Sequence, residues 1–180
     1  CILVNNAGID SPPKLSKTYL IEDIPQDEFI PVLNVNLYSV FLVSQVFGAG
    51  MVQRGQGSII NIGSLYGSVY PDPSFYTHID CDPPFLKPPA YAASKAGLIQ
   101  LTRYLATHWG AYGVRVNILS PGGVENGQDD QFLTKFCARV PLKRMAQASD
   151  LTGPLVFLSS EASSYLTGHN LQIDGGFTAW

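Results

Sequence analysis

Three observations predict an α/β fold built on a parallel sheet. Four short apolar runs, residues 1–4, 58–62, 114–119 and 171–174, alternate with longer stretches of helical character. Each run passes into turn-forming residues: Asn5-Asn6-Ala7-Gly8, Gly63-Ser64, Ser120-Pro121-Gly122-Gly123 and Gly175-Gly176. The 180-residue chain is 46% hydrophobic, which is enough to bury a sizeable core. Strands that alternate with helices imply parallel neighbours joined by crossover helices. No repeat or linker divides the chain, so residues 1–180 are expected to form one domain.

Each element has a local reason. Residues 1–4 read as a buried strand. Residues 9–25, with Pro12, Pro13 and Pro25, read as loop. From Gln26, the spacing of Phe29, Val32, Leu33, Leu37, Val40 and Phe41 predicts a helix that stops near Arg54-Gly55. Pro31 within it is tolerable only near a first turn. Residues 66–90 hold six of the 13 prolines and five aromatic residues, which excludes a regular element there. An Ala- and Leu-rich helix runs from Tyr91 to about Trp109 and is ended by Gly110 and Gly113. Residues 129–139 form a short helix candidate, and Ser149-Asp150 can cap the next.

Charge narrows the function. The net charge is −3, without a Lys/Arg cluster, so neither a nucleic-acid surface nor a polybasic membrane surface is expected. No apolar run approaches the roughly 20 residues of a membrane span. Three distant cysteines, Cys1, Cys81 and Cys137, form no disulfide framework or CxxC metal site. The stretch His78-Ile79-Asp80-Cys81 lies in a Pro-rich loop without a partner cluster, so no metal is expected.

Tyr91 and Lys95 lie four residues apart on the long helix and share a face. A nearby ammonium stabilises phenolate and lowers its pKa from about 10, making a usable proton donor or acceptor. Taken alone, the pair is better explained as part of a solvated helix face. Ser64 closes a buried strand at the edge where open α/β sheets bind ligands, although simple turn chemistry also explains it. Asn36 lies inside a helix, where Asn is a poor choice.

The ordered set Asn5-Asn6-Ala7-Gly8, Val35-Asn36-Leu37, Ser64, Tyr91xxxLys95, Ala96-Gly97, Arg115-Val116-Asn117 with Pro121-Gly122, and Asp174-Gly175-Gly176 resembles the classical short-chain dehydrogenase/reductase family. The resemblance covers essentially the whole chain. It implies a Rossmann-type doubly wound parallel sheet, an NAD or NADP coenzyme, a small-molecule substrate, a homo-oligomer (dimer or tetramer) and a cytoplasmic setting. It implies Tyr91 as general acid/base, with Lys95 lowering its pKa and holding the nicotinamide ribose. Ser64 would orient the substrate oxygen, and Asn36 would hold a water behind Lys95. Asn5 and Ala7 would lie beside the adenosine half of the coenzyme, and Pro121, Gly122 and Val124 beside the nicotinamide.

Departures from the family pattern matter as well. No GxxxGxG phosphate loop occurs, and the chain opens inside a strand, so the N-terminal strands of the family are expected to be missing. The residue that separates NAD from NADP is missing with them. Residues 66–90 form an insertion expected to overhang the substrate pocket as a lid, with Lys87 and its tyrosines facing a polar, sugar-like or anionic substrate; a surface excursion or an oligomer contact is the alternative. Asn126 stands where relatives carry Thr, and Gly63 where they often carry Ser, the second change being expected to be harmless. The insertion and the C-terminal motifs are similar to bacterial reductases of flagellin or surface-glycan modification. A 3-oxoacyl-carrier-protein reductase or a sugar-alcohol dehydrogenase is the competing subgroup. A catalytically silent oligomerisation module, pairing through the stripes Phe29, Leu33, Leu37 and Leu98, Leu101, Leu105, is the reading from another class.

Overall fold

The computed structural model describes residues 1–10 and 18–180. Pro12 and Pro13 of the expected first loop lie outside the described residues. Four strands, β1 (Ile2–Asn5), β2 (Gly57–Ile62), β3 (Val114–Pro121) and β4 (Asn170–Ile173), form one parallel sheet in the order β1-β2-β3-β4. Five α-helical segments accompany it: α1 (Gln26–Leu33), α2 (Ser39–Arg54), α3 (Pro89–Trp109), α4 (Asp130–Arg139) and α5 (Thr152–Ser159).

The sheet is covered on both faces, as the Rossmann-type expectation requires. Successive strand residues point to opposite sides. Ile59, Val114 and Val116 pack with Met51, Leu105 and Ala106 of α2 and α3. Ile60 and Leu119 pack with Leu158 of α5. β2 and β3 are therefore almost wholly buried and read as continuous apolar runs. β1 is the outer strand of the described sheet, with Ile2 and Val4 exposed.

The helix from Gln26 is one unbroken stretch to Arg54, but it changes character at Asn34–Tyr38, which is π-helical. Pro31 sits in its second turn, beyond the first turn that the sequence reading allowed. Its ring faces solvent there; Asn34 N–H still bonds to the Ile30 and Pro31 carbonyls, and the widened turn that follows is marked by Ser39 N–H reaching the Asn34 carbonyl five residues back. This 29-residue stretch is long and apolar enough to pass for a membrane span, contrary to the reading of the sequence. Its interior face nevertheless carries Asn36 and Ser44, both hydrogen-bonded to other parts of the protein.

The apolar stripes are at least partly core, the more common meaning of such a pattern. Leu98 and Leu105 are 1% and 3% exposed, so they present no free face for pairing. Exposed apolar residues of these helices include Leu42, Val43, Val46, Phe47 and Tyr104. α5 is preceded by a 3₁₀ turn at Ala148–Leu151, capped by Gln147 together with Asp150 rather than by Ser149. Gly113 has φ +73°, and an added Cβ would strike the Gly55 carbonyl at 2.2 Å, so only glycine fits where α3 turns back into β3.

Residues 66–90 are firmly docked. Phe75, Tyr76 and Phe85 are buried in a cluster with Phe136, Val140 and Phe177. Phe75 meets Phe132, Phe136 and Phe177 edge-on at centroid distances of 6.1, 5.5 and 6.2 Å. At its border, His78 Nε2 lies 2.8 Å from Asp129, Lys135 donates to Thr77 at 2.7 Å, and Arg139 donates to Asp72 at 3.0 Å. Tyr66, Tyr76 and Lys87 of this segment line a cavity at the sheet edge, as part of a packed wall.

Candidate active site

The carboxyl ends of β1, β2 and β3 bring the chemistry-bearing residues to one sheet edge. Ser64 follows β2 and caps a short 3₁₀ turn, its Oγ accepting from Tyr66 N–H at 3.2 Å. Tyr91 lies on the first turn of α3, and its hydroxyl is hydrogen-bonded to Ser64. Lys95, one turn further on, is 6% exposed; its Nζ donates to the Ile62 carbonyl at 2.8 Å and lies 5.7 Å from the Tyr91 ring centroid. Sequence spacing and strand-end position thus converge on one cluster.

The electrostatics differ from the sequence expectation. Burial raises the Tyr91 pKa above its ordinary value; the hydrogen bond from Ser64 pulls it back, and the Asp10 carboxylate adds to the rise. Burial also lowers the Lys95 pKa, which the nearby Asp10 charge partly opposes. The resting tyrosine is therefore a neutral proton donor, and Ser64 is the group in direct contact that eases its ionisation.

Asn36 sits in the π-helical segment. Its Oδ1 accepts from Ile9 N–H at 2.8 Å, and its Nδ2 donates to the Ile9 carbonyl at 2.9 Å and to Ser94 Oγ at 3.2 Å. A widened turn at a functional position is a common use of π geometry. Here it aims one amide at the loop after β1. An ideal Cβ on Gly8 would lie 3.4 Å from Asn36 Oδ1 and 3.8 Å from Lys95 Nζ, so that loop passes directly over this cluster.

The residues expected at the coenzyme divide into two groups. Ala7, Gly122 and Val124 lie at the accessible sheet edge, with Pro121 at the end of β3. The Asn5 side chain instead turns inward, donating to Ser44 Oγ at 3.0 Å and Asn61 Oδ1 at 2.8 Å. Asn61 continues the chain to Thr102 at 2.9 Å. Asn5 thus ties β1 to α2, β2 and α3, and only its backbone is left for a ligand.

A cavity of ≈ 540 Å³ opens beside Tyr91. Its wall includes Ser64, Tyr66, Tyr76, Lys87 and Gln128, with Asp10 at the rim. Lys87 Nζ lies 2.6 Å from Asp10 Oδ2 and above the rings of Tyr91 and Tyr66, at 5.2 and 5.7 Å. Tyr66 and Tyr76 are hydrogen-bonded to each other; burial pushes the Tyr66 phenol well up and Tyr76 to about 12. Sequence reasoning named Lys87 but missed Asp10. Its position two residues after Gly8, in the loop above the cluster, was the available signal.

Gly63 also gains a meaning. An added Cβ would lie 2.4 Å from Ser120 Oγ and 2.8 Å from Ile118 Cδ1. A Ser at this position is therefore not a harmless alternative, because Ser120 Oγ already holds that space while donating to Asn170 at 2.6 Å.

Comparison with known proteins converges on the same identification. A family model described as short chain dehydrogenase matches residues 1–78, and one described as Enoyl-(Acyl carrier protein) reductase matches residues 84–178. The 2-dehydro-3-deoxy-D-gluconate 5-dehydrogenase of Bacillus subtilis is 40% identical over 98% of this chain and 64% of its own length. The ribulose-forming D-arabinitol 2-dehydrogenase of Candida albicans is 37% identical over 99% of this chain and 60% of its own. The chain thus spans less than two thirds of the length of these relatives. A short-chain dehydrogenase from Leptospira borgpetersenii, solved with bound NAD+, superposes with a TM-score of 0.86 at 41% identity, covering 98% of this chain and 64% of that one. A gluconate 5-dehydrogenase from Burkholderia cenocepacia, solved with NADP and tartrate, gives 0.83 at 32% identity, covering 99% and 65%. With the Tyr91–Lys95 pair, Ser64 and Asn36 standing together on a doubly wound parallel sheet, this chain belongs to the short-chain dehydrogenase/reductase family.

Proposed function

We propose that this chain carries the catalytic and substrate-binding residues of an NAD- or NADP-dependent oxidoreductase acting on a secondary hydroxyl, or the corresponding carbonyl, of a sugar, sugar acid or sugar alcohol. Glycan precursors fall within that class. The observation that carries the reading is the contact of Ser64 with Tyr91, one helical turn from Lys95, at the mouth of a polar cavity. The wall of Asp10, Tyr66, Tyr76 and Lys87 favours a hydroxylated substrate over the acyl chain of a carrier-protein reductase.

The donor set fits a nicotinamide dinucleotide. Lys95 uses one of its three N–H donors on Ile62, and the Asn5–Gly8 and Pro121–Val124 loops flank it at the sheet edge. Lys95 would hold the ribose, with Ala7 and the Asn5 backbone toward the adenosine side and Pro121, Gly122 and Val124 toward the nicotinamide. The dinucleotide supplies or accepts the hydride when bound.

The remaining steps belong to this chain. Ser64 donates a hydrogen bond to the substrate oxygen and fixes it beside Tyr91. In reduction, the Tyr91 hydroxyl gives its proton to that oxygen; in oxidation, the phenolate takes it. The Lys95 ammonium stabilises the phenolate electrostatically, and Asn36 holds the loop over Lys95 and a water behind it. Self-association through the exposed apolar residues of α2 and α3, and a cytoplasmic setting, complete the proposal.

The test is coenzyme titration followed by turnover of polyols and sugar acids. Wild-type protein is expected to bind NADH or NADPH and turn over. Tyr91→Phe should keep the fold and coenzyme binding but lose about 10²–10⁴-fold in kcat. Failure to bind either coenzyme would favour the silent module, and full turnover by the Phe variant would remove Tyr91 from its role.

A further inference from the structure

Beside Tyr91, the cavity contains two further phenols that proton transfer does not use. Tyr66 lies two residues after Ser64, in the 3₁₀ turn that Ser64 caps, and its N–H donates to Ser64 Oγ at 3.2 Å. One turn therefore sets the place of both side chains. Tyr76 comes from a second 3₁₀ turn, Pro73–Tyr76, and is 8% exposed. Its ring is held by Phe85 and Phe132, at centroid distances of 4.8 and 5.4 Å. The two hydroxyls are hydrogen-bonded to each other, and both residues line the cavity with Ser64 and Tyr91. Among the described residues, each phenol oxygen has no hydrogen-bond partner other than its neighbour.

We propose that Tyr66 and Tyr76 together form a hydroxyl receptor, which makes this site select substrates that carry a second hydroxyl on the carbon next to the reacting one. This rests on the oxidoreductase reading above and assigns its substrate specificity to two residues.

Proton counting carries the argument. Burial raises the pKa of both phenols, so both are neutral near pH 7. Two neutral phenols carry two protons. The bond between them uses one, which leaves one O–H donor and lone pairs on both oxygens. A substrate hydroxyl accepts from that free O–H and donates to the other phenol oxygen. Three hydroxyls then close a ring in which each donates once and accepts once, and such chains reinforce one another. A carbonyl or ether oxygen only accepts, and a methylene does neither. Without a hydroxyl the free O–H is left unpaired in a largely apolar wall, which costs binding. A site built to bond a hydroxyl rejects the analogue lacking it far more strongly than a pocket discriminates by size. Position selects the neighbouring carbon. The reacting oxygen lies between Ser64 and Tyr91, Tyr66 shares the turn of Ser64, and the rings of Tyr66 and Tyr91 flank the same Lys87 ammonium at 5.7 and 5.2 Å.

The experiment compares the stereoisomers of butane-2,3-diol with the enantiomers of butan-2-ol, which share a skeleton and differ by one hydroxyl. The full chain is assayed for oxidation with both coenzymes, and for binding by ligand-observed NMR, as wild type, Tyr66→Phe, Tyr76→Phe and the double variant. Phenylalanine keeps each ring and removes only the hydroxyl. For the best isomer of each, wild type should favour the diol by about 100-fold in kcat/KM. Either single variant should lower diol kcat/KM by about 10- to 30-fold, mostly through KM, and the double variant should bring the diol-to-alcohol ratio close to 1. The ratio is the decisive quantity, because a loosened wall lowers both substrates by the same factor. A wild-type ratio below about threefold would overturn the proposal, and so would a double variant that keeps the wild-type ratio. Turnover without diol preference sinks the receptor and leaves the oxidoreductase reading standing. Diol-selective binding that the double variant loses, without turnover under either coenzyme, sustains the receptor and sinks the oxidoreductase reading. Absence of both selective binding and turnover sinks the two together.

Discussion

Replacing Phe75 with Ala tests whether the insertion is a packed wall. Phe75 is 2% exposed and touches Phe132, Phe136 and Phe177 edge-on. Phe132 and Phe136 belong to α4 and Phe177 to the chain's last turn, so one ring joins three separate segments. Truncating a buried Phe removes its transfer free energy and leaves a cavity, together about 3–5 kcal/mol. With a urea slope of about 2 kcal/mol/M, the unfolding midpoint should fall by about 1.5–2.5 M. Two assays are needed, because the loss can fall on the whole fold or on the segment alone. If the segment opens locally, proteolysis within residues 66–90 should accelerate strongly while the global midpoint moves little. Substrate KM should then rise more than kcat falls, because Tyr66, Tyr76 and Lys87 lose their placement while Ser64, Tyr91 and Lys95 keep theirs. A variant with unchanged midpoint and unchanged proteolysis would refute the packing argument.

Three other perturbations follow from the site. Gly63→Ser should lower stability by about 1–3 kcal/mol, read as a reduced melting temperature, because the new Cβ meets Ser120 and Ile118 within the sheet. Ser64→Ala should move the ascending limb of the pH profile for alcohol oxidation to higher pH. Ser64 is the contact that lowers the raised Tyr91 pKa, so without it the phenolate forms at still higher pH; an unmoved limb would detach Ser64 from Tyr91. Asn36→Ala removes both bonds to the Ile9 backbone and should cost about 1–2 kcal/mol locally, seen as faster hydrogen exchange of the Ile9 amide at nearly unchanged global stability.

What the sequence made legible follows a physical boundary. Strand and helix identity come from short-range periodicity, so residues 57–62, 89–109 and 114–121 were readable to within two residues. Helical spacing and strand-end position could bring Tyr91, Lys95 and Ser64 toward one sheet edge, but spacing alone favoured a solvated helix face, and it was the ordered resemblance that singled them out. Lys87 was named as a residue facing substrate, yet its partner was not, because Asp10 lies 77 residues away and nothing local marks the pair. Asn5 shows the opposite failure. Its motif announced a ligand position, but whether its amide turns outward or toward Ser44 depends on the interior of the neighbouring helix. Gly63 is the same case in miniature, since the space its Cβ would need is taken by a strand 57 residues later.

The two long-range observations in the cavity bear on each other. The aromatic cluster fixes residues 66–90 against α4, and the Asp10–Lys87 pair fixes the far end of the same segment against the loop after β1. Asn36 holds that loop from the opposite side through Ile9, one residue before Asp10. The carboxylate is thus positioned from two directions, by an ammonium in front and by a backbone clamp behind. Such support restricts this loop to a narrow range of positions over the cluster, which is what a preorganised site requires. It also makes Asn36→Ala informative twice. If the clamp positions this loop over the cavity, the variant should raise substrate KM as well as lose Ile9 protection. If protection falls while KM stays unchanged, the loop is held over the cavity without Asn36.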